Sequence, residues 1–144
     1  MKKILLFLTS ICFSFNAWAK DVAVNEFKKL LEDRNYTFEF NPETNTYTGT
    51  KNELAKVLIT TENNNVKGVM FAIDTNKDKV LSQEAMLNAT IVLPQLVDDS
   101  EKASEFFGNC FVEAATKSQQ KTIIEDKTFS FNIVGNLVVM MVSK

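Results

Sequence analysis

Apolar residues recur at helical spacing in three parts of the chain. Residues 22–34 and residues 100–118 each place them three and four positions apart, as an amphipathic helix does. A further helix is predicted over about 83–97, with Ser82 as its N-cap and Pro94 near its end. The stripe in residues 100–118 is the most regular and consists of Ala103, Phe106, Phe107, Cys110, Phe111, Ala114 and Ala115. We therefore expect one face of that helix to lie on a core.

Alternation of apolar and polar residues with a period of two predicts strands elsewhere. Residues 36–40 and 46–50 predict two short strands, and residues 53–74 predict a hairpin that turns at three consecutive asparagines. Residues 128–134 alternate cleanly, and a Gly-Asn turn leads from them into residues 137–142, which are apolar on both faces.

The element order α-ββββ-αα-ββ predicts a single α+β domain over residues 20–144. We expect one antiparallel sheet of about six strands, with the helices packed on one face. The strand at 137–142 then needs cover on both of its faces. We expect that cover to come from the same chain, through the N-terminal helix or a loop, and we favour a monomer over a homodimer.

Residues 1–19 have the pattern of a secretory signal peptide. Two lysines precede a short apolar segment, and Ala17 and Ala19 form a small-x-small cleavage site, so the mature chain should begin at Lys20. The pattern predicts a bacterial protein that is periplasmic or secreted. A lipid anchor on Cys12 is disfavoured because the residue before it, Ile11, is not small. No later stretch is long and apolar enough to predict a membrane span.

Charge and residue content exclude several function classes. Taking the signal peptide's two lysines from the 16 basic residues leaves 14 against 18 acidic ones, a net charge of −4. A mildly acidic surface binds phosphates poorly, so nucleic acid is not an expected partner. The chain has no histidine, the commonest general base and metal ligand. Cys110, alone once Cys12 is removed, lies on an apolar helical stripe and is predicted to be buried and inert.

Residues 74–85, DTNKDKVLSQEA, come close to the calcium-binding loop of an EF-hand. The candidate side-chain ligands are Asp74, Asn76, Asp78 and Ser82. Lys79 replaces the glycine of the sharp turn, and Ala85 replaces the glutamate that gives two oxygens. We therefore favour a strand-to-helix connection rich in turn-forming residues, with weak calcium binding as the alternative. No other cofactor is predicted.

The absence of any catalytic motif leaves binding as the expected role. We predict a small exported non-enzymatic protein that binds a protein partner or an apolar small molecule, as inhibitors, immunity proteins and periplasmic binding proteins do. No catalytic residue is assigned. Two alternatives remain open: a hydrolase that uses only Asp and Glu, and a structural or adhesion module that depends weakly on calcium through the 74–85 loop.

Overall fold

A computed structural model describes residues 20–144, so the predicted signal peptide lies outside the described residues. The described chain forms three α-helices, one 3-10 helix and seven strands. The helices are α1 (Val24–Glu32), α2 (Lys79–Val92) and α3 (Ser100–Glu113), with the 3-10 turn at Leu93–Leu96. The strands are β1 (Thr37–Asn41), β2 (Thr46–Lys51), β3 (Ala55–Glu62), β4 (Asn65–Asp74), β5 (Gln119–Ile124), β6 (Lys127–Val134) and β7 (Leu137–Ser143).

All seven strands form one antiparallel sheet in the order β1-β2-β3-β4-β7-β6-β5. The chain builds two meanders, and they join where β4 pairs with β7. β4 is therefore the middle strand, with three strands on each side. The predicted α+β class with a single antiparallel sheet is confirmed.

The strand that the sequence pattern missed is β5, which makes seven strands instead of six. It pairs with β6 through a two-residue turn at Glu125 and Asp126, both with positive φ. Glutamate is a poor marker of such turns, which usually carry asparagine or glycine. Of the other four hairpins, β3–β4 and β6–β7 follow the usual rule, since Asn63-Asn64 and Gly135-Asn136 occupy their turns.

All three helices pack on one face of the sheet, which we call the inner face. The side chains of β4, β6 and β7 that point this way are largely buried, with Phe71, Phe129 and Met140 fully enclosed. Phe107 of α3 reaches the same core, where its ring centroid lies 5.8 Å from that of Phe129. The predicted helical cover on one face is confirmed.

Two helices begin or end at residues other than those predicted. Helix α2 begins at Lys79 and is capped by Asp78, whose carboxylate accepts the Leu81 N–H, so Ser82 is not the N-cap. Pro94 does end this helix, within the 3-10 turn. Helix α3 stops at Glu113, five residues before the predicted end at Ser118. Its apolar stripe is consequently shorter than the sequence pattern.

Candidate functional site

The loop that resembles a calcium site uses its acidic side chains to hold its own backbone. The Asp74 carboxylate accepts the Asn76 N–H at 2.9 Å, and the Asp78 carboxylate accepts the Leu81 N–H at 2.9 Å. These are an Asx-turn and a helix N-cap, the roles that aspartate commonly has where a strand leads into a helix.

The later positions of the loop lie inside helix α2 and are buried. Ser82 is buried, and its hydroxyl donates to the Lys79 carbonyl. Ala85, at the position of the missing glutamate, is 1 % exposed and belongs to the core. In the part of the chain that the structure describes, no three His, Cys, Asp or Glu side chains converge to hold a metal ion. Calcium binding stays a prediction for titration to test.

Acidic residues near α3 are likewise engaged by backbone N–H groups. Asp99 caps the helix by accepting the Lys102 N–H at 3.1 Å. The Glu125 carboxylate accepts the N–H groups of Asp98 and Asp99 at 3.2 and 2.9 Å. A carboxylate that stabilises backbone donors in this way is held by structure rather than presented to a substrate.

Cys110 lies on the inward face of α3 and is buried in the core, as predicted. Burial, followed by the nearby carboxylate of Glu113, raises the pKa of its thiol to about 11. The reactive form of cysteine is the thiolate, so this residue is a poor nucleophile at neutral pH.

A small polar cluster lies between α2 and the end of β2. The Lys51 ammonium contacts the Glu84 carboxylate at 2.6 Å, and it stands 5.8 Å from the ring centroid of Tyr36. The Tyr36 hydroxyl and Asn88 Nδ2 are buried with no well-aligned hydrogen-bond partner among residues 20–144. Burial raises the pKa of Tyr36, and Asn88 lies close enough to the Tyr36 hydroxyl to oppose this rise. Lys51, Tyr36 and Asn88 are buried, whereas the Glu84 side chain is half-exposed, so the cluster is a partly buried ion pair at the edge of the core.

The sheet face opposite the helices, which we call the outer face, carries no helix from residues 20–144. The sequence analysis expected cover from the same chain over both faces of 137–142. Instead, the helices cover only Val138, Met140 and Val142 of β7, while Val139 and Met141 are half-exposed on the outer face. The predicted cover over the second face is therefore wrong for the described residues.

Apolar side chains cross the middle of the outer face without interruption. Met70 of β4 pairs with Leu58 of β3 on one side and with Met141 of β7 on the other. Each of these three side chains is partly exposed. We call the whole set the apolar band, and it comprises Leu58, Met70, Ala72, Val134, Leu137, Val139 and Met141.

A water-facing antiparallel sheet normally carries polar residues on its exposed side. The flanking strands follow this rule, since the outward residues of β2 are Thr46, Thr48 and Thr50. The central strands β4 and β7 do not, since their outward residues include Met70, Val139 and Leu137, the last 41 % exposed. Val134, which pairs with Leu137 at the end of β6, is 61 % exposed. Single exposed apolar residues are ordinary, whereas a contiguous group across four adjacent strands is the type of surface that proteins use to associate. The apolar band is the candidate functional site.

The sequence pattern identified only part of this site. It showed that 137–142 is apolar on both faces, but it did not show which strand lies beside it. The sequence evidence for another part of the site lies in residues 54–73. There Leu58, Met70 and Ala72 occupy positions that are normally polar on a solvent-exposed strand face.

A surface cleft of about 410 Å³ lies beside the β3–β4 hairpin. Its lining residues are Val24, Phe40, Asn45, Tyr47, Thr61, Glu62, Asn63, Asn64 and Lys67. Most of these side chains are polar, which does not suit the apolar small molecule considered from the sequence.

Comparison of the chain with family models, curated proteins and solved structures finds no match. The assignment of function therefore depends on the geometry alone. Within residues 20–144, no helix combines the length and the apolar character needed to cross a bilayer.

Proposed function

We propose that this chain is a small exported, non-enzymatic protein that binds another protein through the apolar band on its outer face. The observation that carries the proposal is the exposure of contiguous apolar side chains on the central strands β4 and β7. Burying apolar surface provides most of the free energy of protein association, at about 25 cal/mol per Å². The band is bordered mainly by Thr and Ser side chains, with Lys56 beside Ala72 and Asp74 beside Leu137, and these can together form a polar rim.

A protein partner is favoured over an apolar small molecule because the surface is broad and open. Small molecules bind in concave sites that enclose most of the ligand. The outer face is a sheet surface, and the cleft beside the β3–β4 hairpin is lined mainly by polar side chains. The hydrolase alternative is less favoured, since the carboxylates of Asp99 and Glu125 beside α3 accept backbone N–H groups.

Export is part of the proposal, and the N-terminal contacts of the fold are compatible with cleavage after Ala19. The Val66 N–H donates to the Val22 carbonyl at 2.8 Å, and the Lys144 ammonium pairs with Asp21 at 2.9 Å. The Lys127 ammonium donates to the Lys20 carbonyl. Removal of residues 1–19 leaves each of these contacts in place. N-terminal sequencing of the exported protein should therefore begin at Lys20.

Site-specific photo-crosslinking in the exporting cell tests the binding surface. A photoreactive phenylalanine analogue at Val139 should give cross-linked products with a protein, because this position lies in the apolar band. The matched control is the same analogue at Leu87, an apolar residue of α2 that is 58 % exposed on the helical side. Equal cross-linking from both positions, or none from Val139, would contradict the proposal.

A further inference from the structure

We propose that the protein covering the outer face is a second copy of this chain, related by a two-fold axis that runs parallel to the strands over β4. This inference rests on the proposed function, because it names the partner of the same surface. The middle position of β4 makes this axis possible. Face-to-face packing about it lays β3 on β7 of the second copy, β2 on β6, and β1 on β5.

One row of outward side chains crosses all seven strands through Met70. The strand registers place its members side by side in the order Glu39, Thr48, Leu58, Met70, Met141, Ser130 and Lys121. We call this set the middle row. From Met70 outward, each side has first an apolar residue, then a hydroxyl residue, then a charged residue. The two terminal charges are opposite in sign.

The middle row is self-complementary about the proposed axis. The rotation places Met70 on Met70, and Leu58 on Met141 of the second copy. It also places Thr48 on Ser130, so that hydroxyl groups meet hydroxyl groups. A closed two-fold dimer requires a surface that is complementary to itself in this way.

The charges at the two ends of the middle row distinguish between the possible axes. With the axis parallel to the strands, Glu39 faces Lys121 of the second copy at both ends of the interface. An axis that runs along the row would instead place Glu39 on Glu39 and Lys121 on Lys121. Like charges placed opposite each other weaken association and suppress the wrong arrangement. The strand-parallel axis is therefore the favoured one.

The shape and area of the outer face also fit a dimer. Strands twist with a fixed hand, and a two-fold rotation preserves that hand, so two equally twisted sheets can stack face to face. Seven strands at about 4.8 Å spacing span about 34 Å, and the three outward residues of each strand span about 20 Å. The footprint is about 700 Å² per copy, or about 1,400 Å² in total, within the standard range for specific interfaces.

Two charged side chains do not fit this pairing. Asp74, at the end of β4, is placed near Asp74 of the second copy because the axis runs over β4. Lys56 is the cross-strand neighbour of Ala72, so the rotation places it on Val139 of the second copy. Its apolar stem can lie along that surface while the ammonium extends towards Asp74, the diagonal neighbour in its own sheet. Replacing Lys56 with an apolar residue should therefore strengthen the dimer.

Sedimentation equilibrium of the purified exported protein measures the dimer directly. We expect Met70→Lys to raise the dimer dissociation constant at least about 100-fold, because it places two ammonium groups against each other at the centre of the interface. Leu87→Lys, on the helical side, should leave the constant unchanged. Circular dichroism of each variant checks that the fold is retained.

The charge pairs provide a test of the axis itself. Glu39→Lys should raise the dissociation constant roughly tenfold, since it replaces two attractive contacts with repulsive ones. The double variant Glu39→Lys with Lys121→Glu should restore the wild-type value. Lys56→Met should lower the constant below wild type. If the double variant does not restore the wild-type dissociation constant, the strand-parallel axis is wrong.

Two outcomes would overturn the dimer, and they differ in what they imply for the proposed function. In the first outcome, the wild-type protein stays monomeric at about 100 µM, and Val139 still cross-links to give a product heavier or lighter than a dimer. The same face then binds a different protein. A monomer with no cross-link from Val139 overturns both proposals. A dimer unaffected by Met70→Lys would show that the copies associate through another surface.

Discussion

Among single residues, Tyr36 is a tyrosine enclosed in the core, with only 3 % of its surface exposed. Its ring packs edge-on against Phe71 with the centroids 6.1 Å apart, and its hydroxyl points into the polar cluster near α2. The sequence pattern predicted that Tyr36 shares a strand face with Phe38 and Phe40. It could not show that Phe40 at the sheet edge would be 49 % exposed while Tyr36 is enclosed, because that difference depends on where the helices end.

Burial raises the pKa of Tyr36 to about 12, with the Glu84 charge adding to the rise and Asn88 opposing it. The unfolded chain releases this proton near pH 10, whereas the folded chain retains it. Stability should therefore be unaffected by this group below pH 10 and should fall as the pH rises from 10 towards 12, by about 2–3 kcal/mol at most. Urea unfolding at pH 9 to 11.5 measures the loss.

The variant Tyr36→Phe provides the control for this prediction. It lacks the ionisable group, and it removes a buried hydroxyl with no well-aligned partner among residues 20–144. It should be about as stable as the wild type at pH 8 and should lose less stability at pH 11. The same alkaline loss in both proteins would mean that Tyr36 does not cause it.

The elements of the fold were predictable where a local pattern specifies them. Asn63-Asn64 and Gly135-Asn136 mark hairpins because these residues tolerate positive φ. β5 was missed because its turn uses Glu125-Asp126, for which the sequence gives no such mark. Phe111 was predicted to be a core residue, but it lies near the end of a helix shorter than its apolar stripe and is only half-buried.

At the start of α2, the roles of the 74–85 loop can be separated by mutation. Asp78→Ala removes the cap on the Leu81 N–H and should lower the free energy of unfolding by about 1 kcal/mol. The loss should be the same with and without 1 mM calcium chloride, because the Asp78 carboxylate accepts a backbone N–H and does not bind an ion. Thermal unfolding in the two buffers measures this. A cap effect that appears only with calcium, or a wild-type melting temperature that rises with calcium, would favour the metal-binding alternative.

At the scale of the whole molecule, the α+β class and the one-sided helical layer follow from the sequence, but the strand order does not. β7 lies beside β4, and this pairing joins segments more than 60 residues apart. Local periodicity shows which residues share a face of a strand and says nothing about its neighbours. The apolar band arises only when β3, β4, β7 and β6 are placed side by side. For this reason the sequence of β7 predicted cover from the same chain, whereas the strand order of the structure suggests an interface with another protein.

The central claim is that the apolar band is covered by protein in the working state, and methionine oxidation footprinting tests it most directly. Met70 and Met141 lie in the band, Met140 is buried on the inner face, and Met86 is half-exposed on α2. Peroxide treatment of exporting cells and of the dilute purified protein, followed by mass spectrometry, gives the oxidised fraction at each position. We expect Met70 and Met141 to be protected in cells, Met86 to react equally in both samples, and Met140 to react in neither. Equal oxidation of Met70 and Met141 in cells and in dilute solution would contradict the account.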